Sequence, residues 1–445
     1  MTMNLLRIRD NSQIKKEAFY KIKKLETKIL NVTLKNLEKE GVFVFPETIL
    51  ESEDLEQSQM ILQDENGVYK TSNIMGFIGY GDERLVISSR FSDNHEDYFF
   101  QYLLSRVLDT PNVVNLETDL SYDNSIVNYL YFLFPYLLSI AIRKGLFKQY
   151  VYNEYNDRNI KGVIDIARHI KCNTPFIGRV AYRQREFSYD NYLLHLIRHT
   201  IEFIQNKSFG KAILSKIKNE VQLVVDATYT YRVHDRQSII DKNKKMLVRH
   251  AYYHEYRDLQ NLCLLILHNQ KGQIGVGHNK LYGILFDGAW LWEEYINLLI
   301  GKDFYHPKNK SHSGSEQLFS GNRQQGLIYP DFIGRDANNR IIADAKYKPI
   351  DSIRSKDYLQ VLAYMFRFDA KKGYYFYPES TGRECEKLKL NQGTKYEQNV
   401  SARDDIYVMK CGLEIPCNVS NYQEFVDKIK INEHKFISNF SNIQF

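Results

Sequence analysis

Short apolar runs separated by turn residues characterise the first quarter of the chain. Three of them, at 41–46, 67–81 and 84–91, are rich in β-branched and aromatic residues and are bounded by Gly and Asp-Glu turns. The stretch from Lys15 to Lys39 has instead the charge density and spacing of a surface helix. The pattern predicts a strand-rich module over residues 1–115, built as a small sheet or barrel.

Apolar residues recur at helical spacing over residues 116–270, most clearly at 190–204 and 259–269, with a short strand-like interruption at 159–170. From residue 271 to 445 the pattern changes to strand, turn, strand, helix and strand in close succession, which is typical of an α/β or α+β domain. The fold class predicted for the whole chain is therefore multi-domain α+β, with a mostly helical middle region.

One apolar segment raises the question of a membrane span. No residue between Asn124 and Ile142 is charged, and the segment approaches the length that crosses a bilayer. Pro135 interrupts it, however, and Asn124 and Asn128 add polar groups. We expect a Pro-kinked core helix that packs against residues 190–204, and no membrane association.

Charge and cysteine usage narrow the class of protein only slightly. The 445 residues carry 60 Lys and Arg against 54 Asp and Glu, and the net charge of +6 permits nucleic-acid binding without indicating it. Five scattered cysteines form no CxxC pair, which argues against a disulfide framework and a thiolate zinc site: Cys172, Cys263, Cys385, Cys411 and Cys417. Early charges argue against a signal peptide. We expect a reducing, cytoplasmic location.

The most informative stretch runs from residue 326 to 350 and predicts a β-hairpin. Two apolar strands flank the turn-forming cluster at 335–339. A hairpin centred within that cluster places Asp331 opposite Asp344, with Cβ atoms roughly 5 Å apart. The period of two along the second strand puts Lys346 on the same face as Asp344. Two carboxylates and one ammonium group are therefore expected to converge.

Two facing carboxylates destabilise a hairpin unless a cation lies between them. Mg²⁺ or Mn²⁺ meets this need, because each binds one or two carboxylates, several waters and a substrate phosphate. A nearby lysine then neutralises charge that develops on the phosphate, which is the chemistry of a phosphodiesterase. The alternative is a solvated hairpin in which Lys346 is only a salt-bridge partner of Asp331 and Asp344.

Helix-like apolar patterns flank the hairpin on both sides. After it, a run with Ser355 as candidate N-cap places Gln360 and Tyr364 on one helix face, since they are four residues apart. Before it, the run from 284 to 300 is interrupted by Glu293 and Glu294. Periodicity does not decide which glutamate points inward, and a polar edge of an amphipathic helix is the alternative.

Taken in order, the motifs WEEY, PD, DAK and QVLAY resemble those of the PD-(D/E)xK nuclease superfamily, in the branch with a QxxxY helix. The chain further resembles the McrC family, the nuclease subunits of methylation-dependent restriction systems. This wider similarity is carried by GFIGYGDERLVISSRF, RKGLFKQYVYNEYNDRNIKGVIDIARHI and FDGAWLWEEYINLL. It is strong over residues 284–378, weaker before them, and absent from about residue 380. It implies a PD-(D/E)xK nuclease domain within 271–445.

The resemblance implies a metal-ligand set for Mg²⁺ or Mn²⁺. Asp331 and Asp344 would be ligands, and Ala345 would offer its carbonyl. Glu293 best matches the acidic position of the first helix, with Glu294 as the fallback.

The resemblance also implies the remaining roles and the partners. Lys346 would be the catalytic lysine, and Gln360 and Tyr364 would hold the carboxylates or the scissile strand of DNA. A hexameric AAA+ GTPase, McrB-like, would recognise and translocate modified DNA, while the amino-terminal and middle regions of this chain dock onto the ring and stimulate GTP hydrolysis. The chain has no GxxxxGK[ST] motif, so we expect no GTP site here.

Two other readings stay open at this point. One is a repair nuclease or exonuclease of the RecB or Cas4 kind, which shares the four motifs. The other is a non-catalytic scaffold that activates a GTPase.

Overall fold

The computed structural model describes residues 4–40, 42–45, 59–92, 97–108, 128–207, 210–268, 281–307, 316–321, 326–393 and 401–441. The chain is a mixed α/β protein that divides into two compact units. The first unit combines Met1–Val114 with Ile274–Phe445, and the second, which we call the middle unit, comprises Asn115–Gln273.

The first unit contains a sheet that we call the amino-terminal sheet. Its strands, in spatial order, are Asn4–Arg9, Glu83–Ser88, Ile74–Tyr80, Leu281–Asp287 and Phe43–Phe45. The two outer pairs are parallel and the two inner pairs antiparallel. The strand Leu281–Asp287 comes from beyond residue 271, where the sequence pattern places the start of the last domain. That pattern did not anticipate that a strand preceding the helix at 288 completes the amino-terminal sheet.

Short helices and a second small sheet cover this region. The small sheet has the order Gln13–Lys15, Val68–Thr71, Leu62–Glu65. The single helix expected from Lys15 to Lys39 is wrong, because the segment forms a 3₁₀ helix and two α-helices: Lys16–Lys21, Lys23–Ile29 and Leu34–Lys39. The break has a local cause, since Leu30 is extended and Asn31 adopts a positive φ of 55°.

A further sheet of the first unit carries the hairpin at 326–350. In the described part of the chain it has six strands in the order Phe304–Tyr305, Phe332–Gly334, Ile341–Ala345, Lys372–Glu379, Ser401–Glu414, Glu386–Gln392. Helix Ser355–Arg367 connects Ile341–Ala345 to its parallel neighbour Lys372–Glu379 and packs on the sheet. Helices Tyr98–Val107, Gly288–Ile300 and Tyr422–Ser441 pack against one another.

Two strands from beyond residue 380, Glu386–Gln392 and Ser401–Glu414, belong to this sheet. The antiparallel register pairs Glu386 with Lys410, so that Cys385 faces Cys411. The two sulfur atoms form a disulfide. Cysteine spacing argued against a disulfide framework and did not anticipate this pair, because the facing strands bring together residues 26 positions apart.

In its described residues, the middle unit combines helices with a three-stranded sheet. The sheet has the order Gln149–Asp157, Val180–Ser188, Val163–Ile164. The α-helices are Asn128–Arg143, Ile166–Cys172, Tyr192–Gln205, Gly210–Leu214, Lys218–Ala227, Arg236–Lys245 and His254–His268. The strand-like interruption expected at 159–170 contains the short strand Val163–Ile164, but the two long strands lie on either side of it, in segments that the pattern predicted to be helical.

The expected buried helix is confirmed for Asn128–Arg143, which contains Pro135, while residues 124–127 lie outside the described residues. Leu133 and Leu137 are each 1% exposed. The helix packs mainly against His254–His268, and its contact with the helix of residues 192–205 includes the rings of Tyr131 and Phe203. No helix in the described ranges is long and apolar enough to span a membrane.

Candidate active site

The hairpin has the register that the sequence predicts. Phe332 pairs with Ala343 and Ile333 with Ile342, so the next position toward the open end sets Asp331 opposite Asp344. The exposed turn at 335–339 closes the other end.

The two aspartates occupy different environments. Asp344 is 1% exposed, whereas Asp331 is half-buried. The amide of Ala345 donates a hydrogen bond of 2.8 Å to Asp331 Oδ2. Burial and the negative charges of Asp344 and Glu293 raise the pKa of Asp331 well above its ordinary value, and this increase exceeds the opposing effect of Lys346 and the Ala345 amide. The protein therefore holds this carboxylate at a cost in free energy.

Lys346 is the cation nearest to these carboxylates in the described part of the chain. Its Nζ lies 2.6 Å from Asp344 Oδ2, and it donates a hydrogen bond of 3.3 Å to Gln360 Oε1. Burial lowers the pKa of Lys346, but the carboxylates of Asp344 and Asp331 outweigh this effect and raise it above the ordinary value. Lys346 is therefore protonated at physiological pH and serves as a fixed positive charge.

The helix Ser355–Arg367 supplies the polar groups that face Lys346. Gln360 donates from Nε2 to the Tyr364 hydroxyl at 2.6 Å, so the predicted pair shares one helix face and points at the lysine. The N-cap is Arg354 rather than the expected Ser355, because the Asp357 carboxylate accepts from the Arg354 amide at 2.9 Å.

Sequence reasoning missed Asp357 as a part of this site. Its carboxylate lies 2.7 Å from Lys348 Nζ and 4.0 Å from Lys346 Nζ. Its position at the third residue of the helix was the available signal, since an acidic residue there caps the first turn. The capping role concealed the contact with the site lysine, which only the packing of helix on sheet creates.

The helix Gly288–Ile300 brings both candidate glutamates near the hairpin. Asp287 is its N-cap, so the apolar run at 284–300 is a strand followed by a helix and not one helix. The side chain of Glu293 is 19% exposed and that of Glu294 35% exposed. Glu293 is thus the more buried of the two, and its negative charge is among those that raise the pKa of Asp331.

His306 is a second residue that sequence reasoning missed. Its Nδ1 donates to the Asp331 carbonyl at 2.9 Å, and its Nε2 lies 3.7 Å from Glu293 Oε1 and 3.6 Å from Glu294 Oε1. Burial lowers the pKa of His306, but the nearby carboxylates of Glu294 and Glu293 and the hydrogen bond to the Asp331 carbonyl outweigh it, so the pKa is raised. No local motif marks this histidine, which lies 25 residues before Asp331.

The structure thus defines a mixed α/β protein with a carboxylate and lysine centre at the open end of a β-hairpin. The chain belongs to the family described as McrBC 5-methylcytosine restriction system component, whose family model matches residues 69–378. That range includes every candidate site residue.

Two solved structures from Thermococcus gammatolerans are similar to this chain. The first is a refined half-complex from a tetradecameric assembly of McrB AAA+ hexamers with bound McrC. It shares 14% sequence identity, covers 98% of this chain and 100% of that chain, and has a TM-score of 0.48. The second, a cryo-EM structure of the McrBC complex, shares 14% identity, covers 68% of this chain and 89% of that chain, and has a TM-score of 0.32. No curated protein matches the chain.

Proposed function

We propose that this chain is the DNA-cleaving subunit of an McrBC-type restriction system, a Mg²⁺-dependent endonuclease with a PD-(D/E)xK domain. The observation that carries the proposal is the convergence of Asp331, Asp344 and Lys346 at one end of the hairpin, beside Gln360. The family to which the chain belongs supplies the biological setting, a restriction system directed at 5-methylcytosine.

The side chains present fit a hard divalent cation. Asp344 Oδ1 is buried and has no hydrogen-bond donor among the described residues, so one carboxylate oxygen has a free coordination position. Within the described ranges, no three His, Cys, Asp or Glu side chains are grouped closely enough to hold a metal by themselves. Mg²⁺ suits such a site, since it retains several waters and uses one or two carboxylates. Asp331, Asp344 and the Ala345 carbonyl would hold it, with Glu293 adjacent.

Mg²⁺ in this site would activate a water molecule and stabilise charge on a phosphate oxygen. The protein's own groups have separate tasks. Lys346 presents a permanent positive charge to the scissile phosphate, where negative charge increases in the transition state. Gln360 orients Lys346 through its side-chain oxygen, and Tyr364 orients Gln360. Because all three side chains are on or packed against rigid elements, little reorganisation is needed when DNA binds.

The test compares Asp344→Asn with Asp336→Asn, which makes the same charge change in the exposed turn of the same hairpin. DNA cleavage is assayed in Mg²⁺ with the partner GTPase present. We expect Asp344→Asn to lower the cleavage rate by about 100-fold or more and Asp336→Asn to keep the wild-type rate. Isothermal titration with Mg²⁺ alone provides a second readout. Equal cleavage by the two variants would show that the site is placed wrongly.

We further propose that the middle unit docks onto a hexameric AAA+ GTPase and stimulates it. The region from 150 to 189 exposes a concentration of large apolar side chains that a monomer rarely leaves in water: Tyr150, Tyr152, Ile160, Val163, Ile164, Ile166, Ile170, Phe176, Ile177, Phe187 and Tyr189. We call it the exposed apolar region. Val163, at 79% exposure, is its most exposed member.

Val163→Asp tests this docking, with Leu223→Asp as its control. Leu223 is also exposed, at 46%, and lies on helix Lys218–Ala227 of the same unit. We expect Val163→Asp to reduce stimulation of the partner's GTP hydrolysis by about 10-fold or more, as the loss of a central interface contact does. Leu223→Asp should leave it unchanged. Unaltered stimulation by Val163→Asp would show that the docking surface lies elsewhere.

The two alternatives predict different results in the same assays. A RecB-like repair nuclease would cleave DNA ends without a GTPase and without dependence on methylation. If the chain is a non-catalytic scaffold, the wild-type protein and the Asp344→Asn variant would stimulate the GTPase equally, and neither would cut DNA.

A further inference from the structure

Tyr347 directly follows the site lysine and lies on the opposite side of the main chain. Lys346 faces Asp344 and Gln360, whereas Tyr347 is 4% exposed and contacts residues that flank the amino-terminal sheet. The strand Ile341–Ala345 ends just before this pair, and beyond it the Lys346 amide donates one hydrogen bond of 2.9 Å to the Phe376 carbonyl. The position of Lys346 therefore depends on how its neighbours in sequence are anchored.

The anchor of Tyr347 involves both its hydroxyl and its ring. The hydroxyl lies 2.8 Å from Ser89 Oγ and donates a longer bond of 3.4 Å to Met75 Sδ. The Arg90 guanidinium lies over the ring, 4.8 Å from its centroid, and Phe91 meets the ring edge-on at 5.2 Å. All four partners come from residues 75–91, within or directly after two strands of the amino-terminal sheet.

The partners of Tyr347 are themselves fixed by buried polar contacts. Asp10, which is 0% exposed, accepts from the Arg90 amide at 2.6 Å and from its guanidinium Nη2 at 2.6 Å. Asn73 accepts a further bond from Arg90, and the Ser89 amide donates to Asp97. An Arg side chain that is 11% exposed and paired in this way has little freedom to move, because each lost bond to Asp10 would leave a buried carboxylate oxygen unsatisfied.

The Tyr347 ring also lies against Gly288. A Cβ placed on Gly288 would lie 2.7 Å from Tyr347 Cε1, so the ring packs directly on the main chain where helix Gly288–Ile300 begins. That helix carries Glu293. Tyr347 therefore contacts, at one point, both the amino-terminal sheet and the helix of the candidate active site.

We propose that Tyr347 is a positioning residue through which the amino-terminal sheet fixes Lys346 in the active site. The hydrogen bond to Ser89 and the stacking on Arg90 hold the chain after the strand, and Lys346 is thereby held within reach of Asp344. The consequence for cleavage rests on the proposed nuclease function, whereas the anchoring itself does not.

The experiment uses Tyr347→Phe, which keeps the ring and removes the hydroxyl, and Ser89→Ala, which removes the other end of the same bond. Tyr69→Phe is the matched control, because Tyr69 is equally buried, at 4% exposure, and its hydroxyl bonds Glu26. Two quantities are measured on the full chain. These are kcat and KM for DNA cleavage with the GTPase partner, and amide hydrogen exchange of the peptide that spans 345–349.

We expect Tyr347→Phe to lower kcat by about 10-fold while KM changes by less than about 2-fold, since a displaced catalytic group affects the chemical step more than DNA binding. Exchange in the 345–349 peptide should accelerate several-fold, through local opening, without a change elsewhere. The double variant with Ser89→Ala should be no worse than either single variant, because both remove one interaction.

Wild-type kcat and wild-type exchange in Tyr347→Phe would overturn the proposal, and so would equal losses in Tyr69→Phe, which would indicate a general effect of stability. If Tyr347→Phe does not fold, Ser89→Ala decides the question with the same two measurements. If the wild-type chain cuts no DNA, the proposed function fails, yet the exchange measurement still decides whether Tyr347 anchors this segment.

Discussion

Replacing Asp331 with Asn should stabilise the protein in the absence of metal while abolishing DNA cleavage. The raised pKa of Asp331 shows that its ionised form is unfavourable in the folded state. The sign follows from linkage: a carboxyl whose pKa is higher when folded contributes stability below its unfolded pKa of about 3.9, and that contribution is lost as pH rises through the folded pKa. Once the pH exceeds the folded pKa, the ionised wild-type carboxyl has lost this contribution, whereas the uncharged Asn side chain has no proton to release.

The charges around Asp331 set the magnitude. One pair of unit charges about 5 Å apart in an effective dielectric of about 20 interacts by roughly 3 kcal/mol. Asp344 and Glu293 repel the Asp331 carboxylate, whereas Lys346 attracts it, which leaves about one uncompensated repulsion. Because Asp331 is half-buried, solvent screening reduces this value. Asn still accepts the hydrogen bond from the Ala345 amide, so a net gain of about 1–2 kcal/mol is expected.

Urea unfolding at pH 7.5 in EDTA, followed by the fluorescence of buried Trp292, measures the gain. Asp336→Asn, in the exposed turn, should change the free energy of unfolding by less than about 0.5 kcal/mol. Saturating Mg²⁺ at about 100 times its Kd should add about 2.7 kcal/mol to wild type and much less to Asp331→Asn. A destabilised Asp331→Asn in EDTA would refute the account of two opposed carboxylates.

Three further predictions concern catalysis, the core and the sheet. Lys346→Ala should lower cleavage with the partner GTPase by about 100-fold or more with Mg²⁺ binding retained; a wild-type rate would exclude the lysine from the chemistry. Leu137→Asp should destabilise the protein by about 4 kcal/mol or more, because it removes a buried leucine and buries an unpaired charge. Tyr136→Asp, at a position that is 39% exposed, should lower the free energy of unfolding far less in the same urea titration. Gly76→Ala should lower the free energy of unfolding by several kcal/mol, because its Cβ would lie 2.1 Å from the Ile284 carbonyl oxygen. Gly81→Ala, whose Cβ would meet no atom within 4 Å, should lower it by only about 1 kcal/mol through backbone strain. Equal thermal midpoints for the two variants would contradict this prediction.

The hairpin and its register could be predicted from sequence alone. Alternation with a period of two, a turn-forming cluster and two apolar runs were enough to place Asp331 opposite Asp344, since register in a hairpin is a local property. The pairing of Gln360 with Tyr364 followed in the same way from helical periodicity. The buried helix that contains Pro135 was predicted from local composition, because the segment has no charged residue yet is interrupted by a proline and polar groups.

Contacts between distant segments required the tertiary structure. The approach of His306 to Asp331, the placing of Asp357 beside Lys346 and the facing of Cys385 and Cys411 have no local signature. The addition of a strand that starts at residue 281 to a sheet that starts at residue 4 has no local signature either. The sequence determined which residues are adjacent along one element, because that depends on backbone geometry alone. Which elements meet depends on how apolar faces far apart in the chain are buried together, and only the folded chain decides that.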